Sequence, residues 1–392
     1  MNDEWALLWK LRQTPRIFER LEAESASELQ LQGRLRCEFP DDVVRAALTL
    51  SELRRKAAKK FSRADSMWFD RRGLEQSTSE TVARHKARRF SGRVCDFCTG
   101  IGSDAIALAA HCDVIGVDIN PTQCLRARWN AATYGVQSRL QVVCADVEQL
   151  AFHGGLLHVD PDRRTAADGS RSLRVEDSVP TLEALRQIMR GFDGGAIKLS
   201  PASNFAGKFT DVEIELVSLS GEAKEATIWF GEPATPGLWR ATVLPADVTL
   251  AGDPLEATAE IAPVGRYVYD PDPAVVRAGL IDLLAEQTGL KRLDESEEYL
   301  TSDRLIDSPF VTAFEILAEL PNNEREIRRF FRGANFGQLE VKCRHIPIQA
   351  DVVRRRLSLE GDQPGVLMFA RLSGKARVLV CRRPGMQPGP GS

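Results

Sequence analysis

The stretch VCDFCTGIGSDAIALA, residues 94–109, constrains the chain more than any other. A short apolar run ends in Asp96, a turn carries Gly100 and Gly102, and a helical pattern follows at once. Gly100 suits a tight turn. Gly102, with no Cβ, suits a close approach of ligand to backbone, and the helix start offers unpaired N–H groups. The pattern then repeats: DVIGVDI reads as strand, CLRARWNAATYG as helix, LQVVCAD and GLLHVDP as strands, TLEALRQIM as helix and GAIKLS as strand. Strands alternating with helices predict a parallel sheet covered on both faces. Three strand-like runs follow, VEIELVSL, EATIWFG and LWRATVLP, and predict a hairpin at the sheet edge.

Two cofactor classes fit a glycine loop of this kind, and the acids separate them. Gly100-x-Gly102-x-x-Ala105 also matches a dinucleotide fingerprint, and Asp118, ending the next strand, stands where a carboxylate meets a ribose diol. But Asp96 precedes the glycines and Asp104 falls in the first helical turn. A pyrophosphate there faces two carboxylates, each close pair costing a few kcal/mol at an effective dielectric of ~20. S-adenosylmethionine carries no phosphate and brings a sulfonium and an ammonium, so an acidic loop suits it. Asp146 ends the third strand, where a carboxylate can meet an adenine amino group beside the Val147 amide. The blander reading of the three strand-end acids is that they cap helices.

Length and charge set the wider frame. At about 100–200 residues per domain, 392 residues predict two or three domains. No window approaches the ~18 consecutive apolar residues of a membrane span, and the N-terminal stretch lacks the apolar core of a secretory signal. Eight scattered cysteines read as reduced thiols, so a cytoplasmic location is expected; the Cys95-x-x-Cys98 spacing has no second pair or nearby histidine, and no metal is expected. The net charge of −3 hides two basic stretches, residues 54–93 and 324–383. Such clusters suit a polyanion, or are solvated faces paired with acids elsewhere. FPDDVVRAALTLSELRRKAAKKF predicts a helix capped by Asp41 or Asp42, and TSETVARHKARRF one capped by Thr78 or Ser79.

The arrangement resembles a class I S-adenosylmethionine-dependent methyltransferase. FSRADSMWFDRRGLEQSTSETVARH, DFCTGIGSDAIALA and VIGVDINPTQCLRARWNAATYGV are more closely similar to the trimethylguanosine synthase branch of RNA cap guanosine-N2 methyltransferases, over roughly residues 60–165. The resemblance implies an α/β fold with a Rossmann-like seven-stranded core. It also implies that Glu75, Gln76, Ser77 and Thr78 lie near the cofactor, that Asp96 and Gly100 hold its methionine part and Asp118 its ribose. Cys98, Gly102, Asp104, Ile119, Asp146 and Val147 complete the expected cofactor set. Asn130 matches a recurrent Asn-Ala pair of such enzymes, with a backbone-bonding role as the alternative.

Asp160-Pro161-Asp162-Arg163-Arg164 stands where amino-methyltransferases carry an Asp/Asn-Pro-Pro-aromatic motif. There Asp160 and the Pro161 carbonyl would accept hydrogen bonds from an exocyclic amine and aim its lone pair. Asp162 replaces the second proline and no aromatic follows, which argues against a capped guanine as substrate. Arg163 and Arg164 either contact phosphates or pair with Asp160 and Asp162. YVYDPDPAVVRAGL, EEYLTSD, SPFVTAFEIL and GQLEVKCRHIPIQADVVRRRL resemble the THUMP-like domain of a group of bacterial methyltransferases, which implies an α+β module. The expected organisation is an N-terminal helical region over 1–63, a methyltransferase domain over 64–250, a THUMP-like domain over 251–384 and a tail over 385–392. The expected activity is methylation of an exocyclic amine on an RNA base, guanosine N2 first, in tRNA or rRNA, with Lys59, Lys60, Arg163, Arg164, Arg354 and Arg355 on phosphates. A small-molecule methyltransferase and an inactive S-adenosylmethionine- and RNA-binding protein are the alternatives.

Overall fold

The computed structural model describes residues 3–23, 28–151, 153–163 and 173–385. The chain divides into two compact units, one of residues 1–213 and 226–236, the other of 214–225 and 237–392.

The first unit begins with four helices: α1 (Asp3–Arg12), α2 (Arg16–Ala23), α3 (Glu28–Glu38) and α4 (Asp41–Ala57). In α4 the apolar positions Val43, Ala47, Leu50 and Leu53 recur at helical spacing and are all buried. The predicted aspartate cap is not made: Pro40 occupies the N-cap position, and Asp41 and Asp42 lie in the first turn, where negative charge suits the helix dipole. Two short helices follow, α5 (Arg71–Gln76) and α6 (Glu80–Ala87). An aromatic cluster packs this region onto the next helix but one: Trp129 lies 5.2 Å from Trp9 and 4.6 Å from Trp68, centroid to centroid.

The predicted alternation then appears as β1 (Arg93–Phe97), α7 (Ser103–Ala109), β2 (Asp113–Asp118), α8 (Pro121–Tyr134), β3 (Leu140–Cys144), β4 (Leu156–Val159), α9 (Leu182–Met189) and β5 (Gly194–Leu199). The strands run parallel in the order β5-β4-β1-β2-β3. Placing β1 at the centre, with chain connections going first one way and then the other, creates a switch point at its C-terminal end, the usual ligand position in such sheets. Residues Ala226–Gly231 of the later strand Glu222–Gly231 pair antiparallel with β5. In the second unit Val212–Leu219 and Trp239–Leu244 run parallel, and Val248–Gly252 returns antiparallel to the latter.

The second unit also holds a mixed sheet. Its main strands are Tyr267–Pro271, Val311–Pro321, Lys375–Arg382, Gln363–Leu372 and Phe336–Cys343, neighbours in that order, with only the last pair parallel. Ile327 and Phe331 of helix α10 (Glu324–Arg332) pack with Phe336, Leu339 and Phe369. A short helix, α11 (Ala350–Arg355), precedes the last hairpin. No helix of the described residues is long and apolar enough to cross a membrane.

Candidate active site

The glycine loop leaves β1 and turns through left-handed backbone at Cys98, Gly100 and Gly102, with φ of 59°, 57° and 89°. Gly100 makes the tight turn that the sequence predicts, but the ligand-approach role predicted for Gly102 is not the one observed. A Cβ on Gly100 would meet nothing within 4 Å, so the loop is open to a ligand there. A Cβ on Gly102 would lie 3.1 Å from the Ala127 Cβ and 3.2 Å from its Cα, so this glycine serves the close packing of α7 on α8.

Carboxylates surround this turn. Asp118 Oδ2 accepts from the Gly100 N–H at 2.8 Å, and Oδ1 accepts from the Asn120 N–H at 2.8 Å. Burial raises the Asp118 carboxyl, and Asp96 and Asp162 add to the effect. The Cys98 thiol is pushed well up, first by burial and then by Asp118, Asp160, Asp96 and Asp162. Lys198 and Arg72 pair with Asp160 and Asp162, whereas Asp118 is bonded to backbone N–H groups; its charge at the loop favours a cationic ligand and disfavours a phosphate. Ile119, next to Asp118, is 71 % exposed, an apolar surface that a flat aromatic ligand would cover.

Behind the loop lies a buried network of which the sequence reading saw only part. Asp96 and His158 sit opposite each other on β1 and β4, with the His158 Nδ1 2.5 Å from Asp96 Oδ1. Both are essentially buried, and Asp96 Oδ2 has no hydrogen-bond partner among the described residues. Asp104 accepts from the Thr78 hydroxyl at 2.6 Å and pairs with buried Lys86 at 3.0 Å. Burial works to raise Asp104, but Lys86, His158, Lys198 and Thr78 together bring it below the usual carboxylate range. Thr78 is therefore occupied by Asp104, and Ser79 takes the α6 N-cap position without a side-chain cap bond.

The segment before the loop is held by bonds to the core and within itself. Gln76 Nε2 donates to Asp162 Oδ1 at 2.9 Å, and Arg72 pairs with the same carboxylate. Ser77 Oγ donates to the Leu74 carbonyl. Asn130, fully buried in α8, accepts from the Trp68 N–H at 2.7 Å and donates to the carbonyls of Trp68 and Ile101 at 3.1 and 2.9 Å. The backbone-bonding reading of Asn130 is the one observed.

Asp160 follows β4 and is one-third exposed. Its partner is Lys198 of β5, with Nζ 2.6 Å from Oδ2. Among the described residues, then, the cations on Asp160 and Asp162 are Lys198 and Arg72. The Arg163 side chain and Arg164 lie outside what the structure describes. Pro161 is buried beside Asp160. Asp146 caps the short turn Val147–Gln149, accepting from Glu148 N and Gln149 Nε2 at 3.0 and 2.9 Å, while Val147 is buried. Capping thus engages the third strand-end acid.

Of the proposed phosphate contacts, Lys60 is otherwise engaged: its ammonium donates to the carbonyls of Leu74, Glu75 and Ser77, closing the end of α5. Lys59 and Arg355 are exposed, and Arg354 pairs with Asp351 at 3.3 Å. All eight cysteines are free thiols, and no group of three His, Cys, Asp or Glu residues among the described ones is placed to hold a metal. The overlooked residues are His158, Lys86 and Lys198. Lys198 had a signal, a single charge inside the apolar strand GAIKLS.

The model of the RNA cap guanine-N2 methyltransferase family matches residues 91–182, and that of the THUMP domain-like family residues 311–383. Uncharacterized S-adenosylmethionine-dependent methyltransferases from two Mycobacterium tuberculosis strains, CDC 1551 / Oshkosh and H37Rv, are each 34% identical over 346 residues, covering 84% of this chain and 94% of theirs. The chain belongs to this family of S-adenosylmethionine-dependent methyltransferases. A solved structure from Porphyromonas gingivalis W83, whose methyltransferase assignment is provisional, shares the fold with a TM-score of 0.75. It is 20% identical and covers 98% of this chain and all of its own. The residues fit the family's cofactor: the loop is open at Gly100, lined by carboxylates, and suited to a sulfonium and an ammonium.

Asp118 gives a direct check on that fit. Asp118→Ala should weaken S-adenosylhomocysteine binding by about 1–3 kcal/mol, measured by calorimetry, the scale of a hydrogen bond to a charged group. An unchanged affinity would remove Asp118 from the cofactor site.

Proposed function

We propose that the protein transfers a methyl group to an exocyclic amine of an RNA base, with guanosine N2 as the first candidate. The observation that carries the reading is the part-exposed Asp160 carboxylate, followed by Pro161, at the strand end beside the acid-lined glycine loop. The family likeness over residues 91–182 supports the base and atom. Bound at the loop, S-adenosylmethionine supplies a methyl group on a positively charged sulfur. Asp96 and Gly100 would hold its methionine end, Asp118 its ribose, and Ile119, Asp146 and Val147 its adenine. Cys98 and Gly102 would shape the turn, with Gln76, Ser77, Thr78 and Asp104 supporting it.

Asp160 and the Pro161 carbonyl would accept the two N–H bonds of the amine, leaving its lone pair directed at the methyl carbon. The cofactor would supply the methyl carbon, so that the new nitrogen–carbon bond would replace its carbon–sulfur bond and leave that electron pair on sulfur. The nitrogen then releases a proton to water. The organisation we assign is a helical region over 1–63, a catalytic domain over 64–250, a THUMP-like module over 251–384 and a tail over 385–392. The cytoplasm is the compartment that suits its reduced thiols.

RNA grip belongs to surfaces outside the pocket. In α10, Arg325, Arg328, Arg329 and Arg332 fall on one solvent-facing stripe opposite Ile327 and Phe331, and all four are exposed. The Arg328 Nε donates to the Arg356 carbonyl at 3.0 Å, which sets the end of α11, with Arg354 and Arg355, beside that stripe. Arg328 and Arg329 pair with Glu324 and Glu326 of their own helix. With Lys60 committed to carbonyls, the residues to reverse to glutamate are Arg325, Arg332, Arg354 and Arg355, with Lys59 as a separate site. The fourfold glutamate variant should lose RNA binding and keep S-adenosylhomocysteine affinity. The wild type should show a logarithmic salt slope of roughly −0.7 per single-strand phosphate engaged. A flat salt dependence would instead favour a small-molecule substrate, the reading that the intramolecular pairs of Arg328, Arg329 and Arg354 support.

Incubation with labelled S-adenosylmethionine, and either total RNA or a metabolite extract from cells lacking the gene, tests the activity. Label in nucleosides supports the proposal. Label only in small solutes, or none in either, ends it.

A further inference from the structure

We propose that Lys198 is a positioning residue that keeps Asp160 ionised and held in one orientation for the acceptor amine; this rests on the reading of Asp160 as the amine acceptor. Lys198 lies in β5 between Ile197 and Leu199, both buried, and is itself only 12 % exposed. A lysine placed there loses much of its hydration, a cost that only close anions offset. Among the described residues the close anions are Asp160 Oδ2 at 2.6 Å and Asp104 Oδ2 at 4.0 Å.

The two carboxylates depend on it unequally. Asp104 also has Lys86 of α6 and the Thr78 hydroxyl. For the Asp160 side chain, Lys198 is the hydrogen-bonding partner among the described residues. The other groups that bear on Asp160 are Asp104 on α7, which raises it, Lys86 of α6, which lowers it, and the Cys98 thiol of the glycine loop. Asp162, two residues on, is neutralised by Arg72 of α5. Burial raises the Asp160 carboxyl and Asp104 adds to this, while Lys198 opposes both. A protonated Asp160 would keep one carbonyl oxygen as acceptor but lose the charge that strengthens a bond from an amine N–H, and its own O–H would be a competing donor. Lys198, in direct contact at 2.6 Å, therefore favours the ionised carboxylate and fixes the oxygen that faces it.

The test follows Asp160 itself. The full-length protein, labelled with 13C at aspartate carboxyl carbons and saturated with S-adenosylhomocysteine, is titrated by NMR, and Asp160→Asn identifies the signal. Lys198→Met and Lys198→Gln should each raise the Asp160 midpoint by about one pH unit or more, the usual effect of removing an adjacent opposite charge. Lys198→Arg should keep it near the wild-type value. The Arg variant retains the charge that a folded core needs, so it reads the same question if the neutral variants do not fold. An unmoved midpoint in a folded neutral variant, or a raised midpoint in Lys198→Arg, would overturn the proposal. With total RNA and labelled S-adenosylmethionine, the acidic limb of the rate profile should move to higher pH in step with the midpoint. Should the midpoint move while the wild type methylates no RNA, the substrate reading fails and the role of Lys198 on Asp160 stands.

Discussion

Asp160→Asn is expected to lower the rate of methyl transfer by about 100-fold or more, while S-adenosylhomocysteine binds as it does to the wild type. The scale is that of removing one preorganised polar group that acts in the transition state. As the amine takes the methyl group its N–H bonds become more acidic, and a carboxylate gains strength as their acceptor through that step. An asparagine keeps one carbonyl oxygen but loses the charge, and its NH2 group can turn toward the amine as a competing donor. It also leaves Lys198 with the more distant Asp104 as its remaining close anion, so the local charge becomes more positive next to a nitrogen that is itself becoming positive. The measurement is single-turnover transfer of labelled methyl to whichever RNA accepts it, with cofactor affinity measured beside it. Full activity in this variant would show that the carboxylate has another role.

Asn130→Ala is expected to destabilise the fold of the first unit strongly. The side chain serves three backbone groups at once, the Trp68 N–H and the carbonyls of Trp68 and Ile101, all in a fully buried setting. Removing it leaves them unsatisfied away from water, and the cost should reach about 3–5 kcal/mol after partial relaxation. At a few degrees per kcal/mol for a unit of this size, the thermal midpoint should fall by roughly 10 °C. Because Ile101 belongs to the glycine loop, saturating S-adenosylhomocysteine should recover part of the loss. A midpoint within a degree or two of the wild type would show that the segment before the loop is held elsewhere, by Trp68 against Trp129 or by Gln76 and Arg72 on Asp162.

The alternating sheet, the strand-end position of Asp118 and Asp160, and the preference for a cation over a phosphate were legible in the sequence. They depend on local pattern: hydrophobic periodicity, a glycine turn between strand and helix, and acids at fixed distances along the chain. The α4 helix was legible for the same reason, although its cap was not. Pro40 took the N-cap position that either of two adjacent aspartates could have filled.

Tertiary packing decided what each polar side chain does. Gly102 could be recognised as a residue that must lack a Cβ, but only the approach of α8 shows that Ala127, and not a ligand, requires it. Thr78 and Asp104 are 26 residues apart, Asp96 and His158 62, and Asp160 and Lys198 38. No local pattern relates such residues, because each pair exists only once separate strands and helices are brought side by side. Lys60 shows the limit most clearly. In the sequence it is one cation among thirteen in a basic stretch, equally available to any phosphate. In the fold it sits at the end of α5, where three carbonyl oxygens have no helical partner, and a fixed ammonium satisfies them. Composition determined that the charge is there, and the packing of α5 determined what it binds.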